Sequence, residues 1–111
     1  MDKHILIKSK GLWLGTYTGF TFYPVIWISY KAGNFDKVYN HELIHIRQAK
    51  ELWVIPMYIL YGYYYLKSIF KDKKGHDHAY RNIPFEMEAY SNENDYDYLK
   101  TRPRNNWKKY I

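Results

Sequence analysis

The sequence predicts an α+β fold: a small N-terminal antiparallel or mixed sheet followed by three helices, in one domain over residues 1–111. Two observations predict it. Over about residues 3–33 apolar and polar residues alternate and β-branched and aromatic types cluster, as in half-buried strands. After Asn34 the apolar spacing lengthens to a helical period that lasts almost to the C-terminus. With 111 residues, 47% of them apolar, the chain has the material for one core, and a disordered tail or a multidomain enzyme is excluded.

In the strand region Ile5 and Ile7 alternate with polar neighbours, and Gly11, Gly15 and Gly19 mark turns. Phe20–Tyr23 and Val25–Tyr30 read as strands. Pro24 between them has no N–H to give to a ladder, which predicts an edge position or a bulge. Residues 31–34 close the region. Asn34 is the expected cap of a helix over 35–55, with Asp36 favourable in its first turn. Pro56 opens a second helix over 56–71, and residues 71–78 form a polar loop. A third helix over 84–100, with Asn82 as candidate cap, precedes a basic tail over 101–111.

Several classes are set aside by composition. Without cysteine there is neither a disulfide framework nor a thiolate metal site, which fits a reducing compartment. The N-terminus has only three apolar residues in a row and no small-residue cleavage site, so the expected location is the cytoplasm, with membrane association left open. Residues 52–66 carry no charge but are too few to span a bilayer, which takes about 20. They read as a half-buried helix with a tyrosine rim or, with Lys67, Lys71, Lys73 and Lys74 following, as a peripheral membrane contact over 52–74. The formal charge of +6 and the tail Arg102–Tyr110, with cations between aromatics, would also suit phosphates and stacked bases; a solvated terminus is the plainer reading, and a nucleic-acid partner is not expected.

The segment that carries chemistry is His41-Glu42-Leu43-Ile44-His45. Histidines four apart share a helix face, so both imidazoles reach one zinc ion, and Glu42 borders the ion where it serves as general base to an attacking water. A catalytic zinc needs a third protein ligand. Glu86, Glu88, His76, His78 and the aspartates of the third helix are the candidates. On a wheel centred on Phe85, Glu88 falls about 60° away at the edge of the apolar stripe and Glu86 about 100° away on the other side, which favours Glu88 and leaves Glu86 as the alternative.

His41-Glu42-x-x-His45 followed by Glu88-Ala89-x-x-Asn92 resembles the gluzincin branch of the zincin metallopeptidases, in particular the short minigluzincins. The wording around His41–Gln48, Tyr80–Tyr90 and Tyr98–Pro103 also resembles small proteins of Bacteroidetes, over most of residues 36–104. The resemblance implies a zincin-like fold, Zn²⁺ on His41, His45 and Glu88, Glu42 as base, and a peptide or protein substrate. It further implies that Asn92 stands where the family has an aspartate orienting the first histidine. An edge strand that pairs with extended substrate would correspond to Val25, Ile26, Trp27 and Ile28. His76, His78, Tyr80 and Arg81 are the candidates for stabilising an oxyanion. Two functions follow as expectations: a zinc-dependent metallopeptidase, or a catalytically silent zincin-like protein that binds a partner, a membrane surface or nucleic acid.

Overall fold

The computed structural model describes residues 3–9, 18–30 and 33–111. It is an α+β fold with a three-stranded mixed sheet, β1 (Ile5–Ser9), β2 (Gly19–Phe22) and β3 (Val25–Ser29), followed by helices α1 (Phe35–Glu51), α2 (Ile55–Asp72), α3 (His76–Arg81), α4 (Pro84–Asn92) and α5 (Tyr98–Thr101) and a C-terminal 3₁₀ turn (Asn106–Tyr110). The turn glycines Gly11 and Gly15 and residues 31–32 lie outside the described residues.

Strand order is β1-β3-β2, with β1 parallel and β2 antiparallel to β3. The expectation that Val25–Ile28 forms an edge is therefore corrected: β3 is central and paired on both sides. Pro24 is accommodated because it precedes the strand, in the turn from β2, where its carbonyl accepts from Ile5 N–H at 2.8 Å. Ile26 and Ile28 point to the helical side and are fully buried against Leu43 and Ile46 of α1.

Asn34 caps α1 as its position implied, its side chain accepting from Lys37 N–H at 3.1 Å. The helix stops at Glu51, four residues before the expected 55, and Leu52–Val54 turn the chain so that Pro56 enters the first turn of α2. α1 is the hub of the fold. Its Leu43 and Ile46 pack on the sheet, while Ala49 joins Met57 of α2, Ile83 and Phe85 of α4's entry, and Trp107.

Three further expectations change. The polar loop contains a short helix, α3, whose last carbonyls are closed by Asn82, a C-cap here and not the cap of the next helix. The helix expected over 84–100 breaks at Asn92 and resumes only as α5. The basic tail folds back: Trp107 is buried with its ring 4.6 Å from that of Phe85, and the Arg102 side chain is fully buried. Arg102 and Trp107 are thus spent inside the protein, while Arg104, Lys108 and Lys109 stay exposed. No helix among the described residues is long and apolar enough to cross a membrane.

Candidate metal centre

His41 and His45 sit one turn apart on the buried face of α1, and Glu86 enters from the first turn of α4. His41 Nε2 lies 3.1 Å and His45 Nε2 3.0 Å from Glu86 Oε1, and the two nitrogens are 3.2 Å apart. These three atoms form the one group of histidine and acidic side chains, among the described residues, placed to share a metal ion.

The surroundings fix the tautomers. His41 Nδ1 lies 2.8 Å from Glu93 Oε2, a carboxylate that can only accept, so Nδ1 carries the proton. His45 Nδ1 lies 2.8 Å from Gln48 Oε1. Gln48 cannot turn its amide round, because its Nε2 donates to Phe85 O at 3.0 Å and to Glu88 Oε1 at 2.9 Å. Both histidines are therefore held from outside through Nδ1 and turn Nε2 inward to Glu86, where it carries a proton or, once that proton is given up, can bind a metal.

The result is a buried triangle of two imidazole nitrogens and one carboxylate oxygen. Such a triangle repels itself unless positive charge stands among its members. Its edges of 3.0–3.2 Å are close to the roughly 3.3 Å that separates ligand atoms around a tetrahedral ion with bonds of about 2.0–2.1 Å. Charge points the same way. Three acidic side chains, Glu42, Glu86 and Glu93, stand around the two imidazoles, with the Lys37 ammonium 3.5 Å from Glu93, so the cluster attracts positive charge. Two histidines and a glutamate are a donor set suited to zinc.

Protonation behaves consistently. Burial opposes a charged His41, but Glu86 and Glu93 outweigh it and push its pKa up to about 10. His45 shifts upward too, against burial, through Glu86. Glu86 is held well below the carboxylate range by both histidines despite its burial. The cluster favours positive charge at its centre, proton or metal.

Glu42 stands beside this triangle. Its Oε1 accepts from Thr21 Oγ1 of β2 at 2.8 Å, and burial pushes its carboxyl up from the ordinary range against the pull of the two histidines. The close approach of β2 depends on Gly19. A Cβ there would lie 2.6 Å from Val38 Cγ1 and 2.7 Å from Glu42 Oε2, inside contact distance. Glu42, His45 and Glu86 open on a cavity of about 420 Å³ whose other walls are mainly aromatic, from Phe20, Phe22, Tyr58, Tyr61, Tyr65 and Tyr80.

Glu88, expected as the third ligand, is elsewhere. Its carboxylate is fully buried in an ion pair with Arg102 and also accepts from Tyr98 OH and Gln48. The wheel misjudged it because α4 is buried almost all round, Pro84, Phe85, Glu86, Glu88 and Ala89 alike, so two carboxylates turn inward in different directions. Asn92 does not meet His41 either; its Nδ2 donates to Glu88 O and to Tyr110 OH. Glu93 fills that role, and a signal existed: seven residues from Glu86, it falls on the same helix face. The position four after Glu86 is Tyr90, packed edge-on against His41 at 4.5 Å.

The oxyanion candidates separate as well. Tyr80 and His76 line the cavity, whereas Arg81 stacks on Tyr90 at 4.0 Å and His78 pairs with Asp72 at 3.1 Å. Sequence reasoning missed Thr21, Gly19 and Tyr61, whose hydroxyl donates to Glu86 Oε2 at 2.6 Å, because each acts across a tertiary contact. The chain matches no family model, and no curated protein or solved structure matches it. What this centre can do rests on its own atoms.

Proposed function

We propose that the protein is a zinc-dependent peptidase whose ion is held by His41, His45 and Glu86, with Glu42 as general base. The observation that carries the reading is the triangle of two inward-facing imidazole nitrogens and a carboxylate oxygen set beside a second carboxyl at the wall of a cavity. When bound there, zinc would supply Lewis acidity to a scissile carbonyl and to the attacking water.

The chain's own residues do the rest. Glu42 has one oxygen, Oε1, held by Thr21, which leaves Oε2 to take the proton from water and return it to the leaving amine. Its carboxyl, shifted upward by burial, is the stronger proton acceptor for that exchange. Tyr61 steadies Glu86 through Oε2, so that Oε1 stays directed at the histidines. Burial, with Glu86 nearby, pushes the Tyr80 hydroxyl far above its ordinary range, and that hydroxyl is engaged with Tyr90 at the cavity wall.

Substrate would lie along β2, not β3. Thr18 O accepts from Ser29 N–H, so strand alternation turns the backbone of Gly19 and Thr21 to the opposite edge, which no described strand occupies. An extended peptide added there runs past Glu42, and the aromatic walls suit a large apolar side chain.

Elemental mass spectrometry on the purified protein, with a peptide-library cleavage assay on wild type and Glu42→Gln, tests this. One zinc per chain in both proteins, with cleavage reduced about 10²–10⁴-fold in Glu42→Gln, is the expected outcome. Absence of zinc after reconstitution, or cleavage that survives Glu42→Gln, overturns it.

A further inference from the structure

α2 carries two faces of apolar character, and only one of them belongs to the protein. Met57 is buried in the core, and Tyr58, Tyr61 and Tyr65 look into the cavity. On the far side Ile55, Ile59, Tyr63, Leu66 and Phe70 fall within an arc of about 80°, counted at 100° per residue. All five are exposed, Ile59 at 67% and Phe70 at 71%. Just before the helix Trp53 is 83% exposed, held outward by a turn in which both Trp53 and Val54 have positive φ, a conformation costly for such side chains.

A stripe of this kind along an 18-residue helix, about 27 Å, needs an occupant. Its charges select one. Lys67 and Lys71 flank the stripe, and exposed Lys73 and Lys74 follow it directly. The one acid on the helix, Asp72, is engaged by Ser68 and His78. A second copy carrying the same lysines and the same +6 charge is repelled at this face, whereas an anionic surface is attracted. The stripe is too short and too interrupted to cross a bilayer. We propose that α2 docks in the plane of an anionic lipid surface, with Trp53, Ile59 and Phe70 entering the headgroup boundary and the lysines meeting the lipid charge. Gly62, which lines the cavity, is one step round the helix from the stripe, so docking brings the cavity close to the membrane. This inference stands independently of the metal.

Co-sedimentation of the full chain with vesicles of phosphatidylcholine plus phosphatidylserine, and of phosphatidylcholine alone, tests it. Binding to the anionic vesicles, falling with added salt and at least tenfold weaker in the double variant Ile59→Asp/Phe70→Asp, is expected. Lys67→Gln and Lys71→Gln should each weaken it about fivefold. All four positions are exposed, so far-UV circular dichroism of each variant should match wild type. No binding to either vesicle overturns the proposal, as does binding indifferent to lipid charge and to these substitutions. A dimer in light scattering that Ile59→Asp/Phe70→Asp makes monomeric, without vesicle binding, overturns it in favour of a second copy.

Discussion

Two carboxylates two residues apart on α4 serve two buried clusters that differ in where the positive charge comes from. Glu88 meets Arg102, whose guanidinium also takes both oxygens of Glu51 at 2.8 Å; the chain supplies its own cation. Glu86 meets His41 and His45, each held by its outer partner so that Nε2 faces the carboxylate. The first cluster is complete as folded and holds the C-terminal segment to α1 and α4. In the second, positive charge has to come from protons on the histidines or from a bound ion. The difference separates a carboxylate neutralised by the chain's own arginine from one that, on the function proposed above, would hold a metal.

Exchanging each carboxylate for alanine should break the comparison most sharply. Glu86→Ala is expected to lose zinc, read as metal per chain after reconstitution, while its folding free energy changes less because the histidines can give up a proton once the carboxylate that holds it is gone. Glu88→Ala is expected to keep its zinc yet lose about 3–5 kcal/mol in chemical denaturation, since it leaves Arg102 buried beside a single carboxylate. The opposite pattern, zinc lost only in Glu88→Ala, would assign the ligand to Glu88.

Arg102→Met approaches the same cluster from the other side and should also cost about 3–5 kcal/mol. It has a pH signature too. Burial alone would raise the Glu88 carboxyl, but Arg102, with Tyr98 and Gln48, holds it below the ordinary range. A depressed folded pKa contributes stability that is complete above the unfolded value of about 4.3 and is lost as pH falls through the folded value. Without Arg102 burial pushes the Glu88 carboxyl up instead, so that contribution is gone and the stability gap between the variant and wild type should narrow as pH falls. Melting temperatures of both proteins from neutral pH downward check this, and parallel curves would refute it.

The part of the site on α1 was legible because it is local. Four-residue spacing alone puts His41 and His45 together, and Asn34 announces the start of their helix. What could not be read is set by packing. Which face of α4 meets α1 decides between Glu86 and Glu88, and a helix buried on nearly all sides has no apolar arc to consult. β3 was recognisable as a strand, but its central place comes from the parallel return of β1, a long-range pairing that leaves no mark in Val25–Ser29 itself. Arg102 and Trp107 looked like a solvated tail because the segment's composition is basic; only the fold shows Glu51, Glu88 and Phe85 waiting for them.

A smaller effect sharpens the contrast between the clusters. Glu93→Gln keeps a group that can accept from His41 Nδ1 but removes its charge, and should weaken zinc about 10–100-fold by competition titration, with the fold intact. Gln48→Leu should do the same through His45, and it also takes one donor from Glu88, so a modest stability loss should accompany it. Equal stability losses in the two variants would mean that the clusters are not separable in this way.

The mildest test concerns access. The Arg102 side chain is sealed from solvent, whereas Glu42 borders the cavity and is approached by β2 only because residue 19 is glycine. Gly19→Ala puts a methyl against Val38 and Glu42 Oε2, the oxygen assigned to proton transfer. The strand must move out or Glu42 must turn, at a cost of about 1–3 kcal/mol. Zinc content should be unchanged, because the atoms nearest the added methyl belong to Val38 and Glu42 and not to the three proposed ligands. If cleavage falls while zinc and the Glu88–Arg102 cluster stay as they were, the Glu42 side of the centre is where the reaction happens. Loss of zinc in this variant would instead tie β2 to the ligands themselves.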